Sequence, residues 1–455
     1  MTELSSTPPQ EIENKENLNE AGDVITEEIT ITTSEGISFD IKNFCLGVTL
    51  FEDIFSNVLM GTAFITDSAN LVGIIPFKGT EFITFSYRTP TFTEKISKSF
   101  YITKASDRMF LSNDRQAGYT ISFISMEGYK DNVTSVSKKY SDKTDRIVSS
   151  VYNEYLKHER FVGKPTTQTP VFFDNELGST ATVVAGYWNP LRIVNWATSR
   201  SFSSATQAPN YMFFESNKAF YFKSIENLVS DQVTNNQIFS ELIYFPGARM
   251  VQYQPTAGYT FNKPELLKQF SNVRNMKSFT MFDSLKAQDY GYYASKLVSI
   301  DMTLKYPREF FFDYPTRFSS FKHLEPLNNP TFSSKVLRNP DTHAVVLTSQ
   351  HKLHNDSKDP LFEKWALQRN TLLFEAGNIK IEVEIPGRTD IEVGKVVNFL
   401  YPKNVDKPES LTIDDALDPY MSGLYLITAI RHEFTLNKHT MFVELMKDSF
   451  KKALG

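Results

Sequence analysis

Few residues of this chain are spaced for chemistry. His351-Lys-Leu-His354 is the close histidine pair, and such spacing suits two rings reaching one metal ion from a helix. No carboxylate or cysteine group completes a ligand set around it, so the pair reads as solvated loop. Asp414-Asp415 could be a catalytic carboxylate pair or part of a calcium loop. The glycine spacing of a calcium loop is missing, and a solvated loop is the reading here too. His432 and His439 fall on one hairpin pattern and read as strand surface. Cys45 stands between Phe44 and Leu46, the setting of a buried, inert thiol. The sequence shows no phosphate-binding glycine loop, no nucleophile elbow and no zinc-protease helix. The expectation is a chain without catalytic residues, metal or cofactor.

The elements around these residues point to assembly. The chain has 455 residues, which sets a prior of two to four domains, and its hydrophobic fraction of 41% is globular. It carries 38 Phe and 21 Tyr, residues that favour strands and interfaces. A net charge of −5 argues against a surface built to grip phosphate. A single cysteine excludes an internal disulfide and fits assembly in a reducing cytoplasm. The opening Met-Thr-Glu-Leu-Ser-Ser has neither the basic nor the apolar part of a signal peptide, and no apolar run approaches a membrane span.

Residues 1–22 are acidic and polar with Pro8-Pro9, and predict a disordered arm. Residues 23–129 alternate as strands, beginning with a hairpin of 28–32 and 37–41 about Ser34-Glu35-Gly36. The expected architecture is a first small β-barrel over 23–129 and an α+β insertion over 130–185. The second barrel follows in two parts, 186–250 and 359–450, around an insertion at 251–358, with a short tail at 451–455. Within these, Ile147, Val148, Val151, Tyr152, Tyr155 and Leu156 space as an amphipathic helix. A second helix follows Pro190, and Pro264–Phe270 reads as a third. Tyr211–Glu215 and Ala219–Phe222 read as a hairpin about Ser216-Asn217-Lys218. The apolar knot Phe310-Phe311-Phe312 is core or a contact between subunits. Asp359-Pro360 predicts a helix start, with Trp365 and Leu372 on one flank, Ala366 and Leu373 on the next, and Gly377 as a left-handed stop. Ile379, Ile381, Val383 and Ile385 then alternate with Lys380, Glu382 and Glu384. A slip by one residue would bury three charges, so the register is firm.

One pattern occurs twice. Gly79–Tyr87, Phe100–Thr103 and Tyr119–Glu127 match Gly394–Tyr401, Tyr425–Thr428 and His439–Met446. Each copy reads as a strand, a loop and a two-stranded hairpin. Two similar β-domains in one chain let a ring of three subunits imitate a ring of six.

Three stretches resemble the central baseplate hub proteins of contractile-tailed bacteriophages and, more distantly, the hub part of type VI secretion spike proteins. They are Leu50–Phe55 through Gly61, Asp67 and Gly79-Thr-Glu81; the Trp196 helix with the Phe213 and Phe222 hairpin; and Trp365 and Arg369 followed by Ile381–Gly387, Gly394, Gly423–Ile427 and Leu445–Asp448. The order of these stretches and the duplication carry the likeness. It implies a homotrimer of mainly β chains, each giving two tail-tube-like barrels plus α/β insertions to a pseudo-sixfold ring. The ring would cap the hexameric tail tube on one side and hold a trimeric tail spike on the other. It would sit in the virion baseplate, assembled in the host cytoplasm, with other baseplate proteins around it and genomic DNA passing transiently. Duplex DNA carries about one charge per 1.7 Å, so a lumen that lets it slide is neutral or acidic. Lys380, Glu382 and Glu384 either line that lumen or simply face solvent. A tail-associated cell-wall hydrolase and a receptor-binding tail protein are the competing readings.

Overall fold

The computed structural model describes residues 20–451 except 76, 91, 93, 111–115, 158–170, 175–179, 245–268, 281, 302–304, 328–337, 343, 350–364, 404–416 and 436. Most of the predicted arm lies outside the described residues, as does the Pro264–Leu267 stretch. Residues 20–22 are packed instead. Ala21 is buried with Phe92 and Phe270, and its carbonyl accepts from Arg274 Nη2 at 2.8 Å. The Gly22 carbonyl accepts from the His439 N–H at 2.7 Å.

Alternation builds the first half from β1 (Ile25–Thr32), β2 (Ser38–Asp40), β3 (Cys45–Asp53), β4 (Met60–Asp67), β5 (Phe82–Arg88), β6 (Lys95–Phe110) and β7 (Ala117–Ser125). All are antiparallel in the spatial order β3-β4-β7-β6-β5-β1-β2. The inward residues of these strands, among them Ile31, Leu50, Ala63, Phe85, Phe100 and Phe123, share one buried core.

A separate core lies under the middle of the chain. β8 (Val136–Lys143) pairs β10 (Thr180–Trp188), and β9 (Val171–Phe173) lies parallel to β12 (Phe220–Ser224), the partner of β11 (Tyr211–Glu215). The helices Thr144–Val151, which widens into a π turn to Leu156, and Pro190–Thr198 cover them. Pro190 sits in the first turn, where no backbone donor is needed.

β13 (Ser240–Tyr244), β14 (Asn272–Val273) and β15 (Asn275–Thr280) join the second half. β16 (Ala294–Asp301), β17 (Tyr306–Asp313) and β18 (Ala344–Ser349) form a small sheet of their own. There the aromatic knot splits by parity: Phe312 is buried, Phe310 packs on the same core, and Phe311 is 63% exposed. The helix Ala366–Asn378 then runs straight into β19 (Ile379–Pro386), followed by β20 (Val396–Leu400), β21 (Gly423–Thr435) and β22 (Lys438–Lys447). Gly377 is not a left-handed stop. It lies inside the helix and is missing from the positive-φ residues, because the chain leaves the helix directly into extended Ile379. The Asp359-Pro360 start lies outside the described residues.

The two copies of the repeated pattern fold alike. β5-β6-β7 and β20-β21-β22 are both antiparallel meanders. Each is entered through a left-handed glycine, Gly79 at φ 80° and Gly394 at φ 83°. Each second strand also bulges at the same place: Ile102 pairs Phe123 and Lys104 pairs Ser122, while Ile427 pairs Leu445 and Ala429 pairs Glu444. The extra residues are Thr103 and Thr428, which correspond in the sequence match. The third strands are offset from that match by two residues, so Phe123 corresponds to Leu445 rather than to Val443. A shift of two keeps every side chain on its face.

Among the described residues 14 strands form one hydrogen-bonded sheet. β21 fuses its halves. Along one edge it pairs β22; along the other, Gly423–Leu426 pair β20 and Ala429–Thr435 pair β3. The pairing is an open path, ending at β2, β14 and β15, and not two closed barrels. Each half instead rolls about its own core, the second being built on Ile381, Val383, Val396, Phe399, Leu426, Val443 and their neighbours.

Candidate functional site

The predicted lumen residues lie on the outer face of the fused sheet, and behind that face is the joint that holds the halves. Lys380, Glu382 and Glu384 lie half-buried on β19 while Ile379, Ile381, Val383 and Ile385 face the core, so the predicted register holds. β19 is an inner strand, flanked by β15 and β22, and its outward row continues across the sheet. Glu382 lies beside Glu444, and Glu384 beside Phe442 and then Arg431 on β21. Across the joint, Arg431 is opposite Phe51 and Glu433 opposite Thr49. Thr49 is then followed by Thr62 and Ser122.

The charges on this face are largely spent on one another. Lys380 Nζ lies 2.7 Å from Glu444 Oε1, Lys277 3.8 Å from Glu382, and Arg431 3.2 Å from Glu433. Glu444 also accepts from Thr428 Oγ1 at 2.6 Å, which ties the bulge residue into the row. The Phe442 ring carries Lys277 Nζ at 3.6 Å and Arg431 Cζ at 4.2 Å from its centroid. Such half-exposed pairs add little stability. They do leave, among the described residues, a face of threonine, serine, paired charge and the phenylalanines Phe51 and Phe442, with no basic stripe.

Behind that face the joint carries a buried polar cluster. The strand-surface expectation for His432 and His439 is wrong: both are 1% exposed, on the inward parity of β21 and β22. His432 Nε2 donates to Glu52 Oε1 of β3 at 2.8 Å. Its Nδ1 is then an acceptor, 3.0 Å from His439 Nε2, which places the His439 proton on Nε2. Asn217, at the tip of the β11–β12 hairpin, donates to the same Glu52 oxygen and lies 3.3 Å from the Tyr87 hydroxyl. Burial and the neighbouring His432 hold the His439 pKa well below the usual histidine range. Gly387 lets this ring in, since a Cβ there would lie 2.0 Å from His439 Cγ.

The aromatic residues behind the hub resemblance also meet. Arg200 lies over the Trp196 ring at 4.0 Å and over Trp365 at 5.7 Å. Arg369, one helical turn on, donates to the carbonyls of Pro209 at 2.6 Å and Tyr211 at 3.2 Å. Burial draws its pKa down to about 10. Cys45 is buried, and desolvation pushes its thiol up to about 11, far from a reactive thiolate. His351, His354, Asp414 and Asp415 lie outside the described residues. Asp418 turns the backbone, accepting from the Tyr420 and Met421 N–H groups at 2.8 and 2.9 Å. Among the described residues one trio, His323, Glu375 and Asp448, has ligand atoms close enough for a metal ion. Its members are far apart in sequence and share no motif.

The sequence matches no protein-family model and no curated protein. Solved structures do match over nearly the whole chain. A 43 kDa tail protein of prophage MuSo2 from Shewanella oneidensis aligns with a TM-score of 0.51 at 8% identity, over 92% of this chain and 98% of that one. A tail protein from Neisseria meningitidis MC58 gives 0.49 at 7% identity, over 92% and 96%. The E. coli c3393 protein, a component of the type VI secretion system, gives 0.36 at 9% identity, over 95% and 79%. The first of these has a matching extent and a shared architecture from end to end. The chain therefore has the fold of a phage tail protein.

Proposed function

We propose that this chain is a structural baseplate hub protein of a phage tail and has no enzymatic role. Three copies form a ring with pseudo-sixfold symmetry, each contributing two related β-halves. The ring joins the hexameric tail tube to a trimeric central spike and lets genomic DNA pass without holding it. The parts of 130–185 and 251–358 that lie outside the main sheet form the threefold cup on the spike side. The protein works in the virion baseplate, alongside tail tube, spike and other baseplate proteins, after assembly in the host cytoplasm.

The observation that carries this reading is the pair of matching meanders fused through β21, with equivalent bulges at Thr103 and Thr428. Two related halves in fixed orientation are what a threefold ring needs to sit on a sixfold tube. The shared fold with a phage tail protein supports the setting. Strand edges that are open among the described residues, at β2, β14 and β15, suit side-by-side association of copies. The paired charges around Lys380, Glu382 and Glu384 suit a lumen that does not retain a polyanion.

Solution mass and negative-stain images test the assembly. A trimer with a central hole is the expected result, and a globular monomer at all concentrations overturns it. Digestion of purified cell wall by the protein would overturn the structural reading in favour of a hydrolase.

A further inference from the structure

The trio His323, Glu375 and Asp448 lies in the interior, where a short segment after Phe318, the helix Ala366–Asn378 and the end of β22 converge. Its ligand atoms all lie within 4.8 Å of one another. Glu375 is 4% and Asp448 8% exposed. Among the described residues no lysine or arginine pairs with either carboxylate. Glu375 has only hydroxyl donors there, Tyr314 at 2.5 Å and Tyr292 at 3.5 Å. Asp448 is paired with His323 and also accepts from the Leu324 N–H at 3.2 Å and Ser449 Oγ at 2.6 Å, but Glu375 has no charged donor among the described residues, and a carboxylate left so at this depth is expensive.

The histidine is oriented like a ligand. Its Nε2 lies 2.9 Å from the Phe318 carbonyl, which takes the Nε2 proton. Nδ1 faces Asp448 Oδ2 at 3.0 Å, an ion pair when the ring is protonated and the place of a metal ion when it is not. A metal ion would replace the Nδ1 proton between the two groups, and the outer N–H on a backbone carbonyl is the usual support of a ligating imidazole. A second observation points the same way. A cavity of about 20 Å³ lies against these residues, enough for one water-sized sphere. Asn210 also lines it, is 5% exposed, and its side-chain oxygen has no hydrogen-bond partner. One nitrogen, two carboxylates and an amide oxygen suit a zinc-like divalent ion, whereas magnesium and calcium prefer all-oxygen cages.

We propose that His323, Glu375 and Asp448, with Asn210, form a structural site for one divalent transition-metal ion that staples the 318–325 segment to the second half. The full-length protein, purified without chelator, is incubated with ZnCl2 or MnCl2, desalted and measured by elemental analysis. About one ion per chain is expected with at least one of the two metals. H323A and E375Q should lose it while keeping the wild-type circular dichroism spectrum. Since a variant could fail to fold, wild-type protein treated with EDTA is the second arm: its Tm should fall and recover on adding the ion that bound. Less than about a tenth of an ion per chain after either incubation overturns the proposal. So does full retention of metal by both folded variants, or a Tm indifferent to chelation.

Discussion

His439 shows what one buried ring does to the pH response. The folded chain keeps it neutral against His432 and Tyr87, with Glu52 on the far side of His432. The unfolded chain protonates it below about pH 6.5. Folding then expels a proton, so this contribution is whole above that pH and declines as pH falls below it. Thermal melts from pH 7.5 to 5.0 should show a falling Tm, with a shallower decline in H439Q. An equal decline in both proteins would remove His439 as the cause. Arg369 is a second residue with a readable role. Its guanidinium serves three carbonyls inside the fold, those of Thr198, Pro209 and Tyr211, and charge-assisted bonds of this kind contribute roughly 1.5–3 kcal/mol each. R369M should lower stability by about 2–4 kcal/mol in urea unfolding. Histidine is usually a surface residue of strands, and that habit hides the burial of His432 and His439. Their parity held the correct answer: His432 sits between Ile430 and Phe434, and His439 is two before Met441, all inward. The trio around Glu375 left no trace in the sequence, since its members come from three distant segments.

At the scale of elements, strands were legible wherever two-residue alternation met a buried face. The sequence shows β19 with its register and β11–β12 with its turn. The repeated meander is legible too, but residue similarity sets its third strand two residues away, an offset that alternation cannot detect because it has the same period. The joint between halves was invisible for another reason: strand pairing across nearly 400 residues leaves no local pattern. Glycines report on packing of these elements. Gly61 of β4 has the Thr49 carbonyl 2.4 Å and the Phe123 ring 2.6 Å from where a Cβ would go. Gly79 has open space but a left-handed backbone. G61A should therefore cost about 2–4 kcal/mol through a clash at the centre of the sheet. G79A should cost about 1–2 kcal/mol, from backbone conformation alone. Similar losses in urea melts of the two variants would show that the central contact relaxes.

For the whole molecule the sharpest expectation concerns charge. Changing Glu382, Glu384 and Glu444 to lysine would turn a paired face into a basic one. If this face lines the passage, the triple variant should retain duplex DNA in a mobility-shift assay at low salt, and lose it as salt rises. Phage carrying it should eject DNA more slowly. Wild-type ejection kinetics with the variant incorporated would place the face elsewhere. Mainly β architecture and its doubling were readable from composition and repetition. Whether each half closes was not, because closure depends on edge pairing that no local pattern encodes; the halves roll without sealing.

That single strand shared by both halves also bears on inheritance. Seven residues of β21 complete the edge of the first half at β3. A recombination event that swapped one half for a foreign counterpart would strip β3 of its neighbour and leave Glu52 without His432. Exchange between related genomes should therefore move this gene as an indivisible block, with crossovers tolerated at its flanks and selected against between its ends.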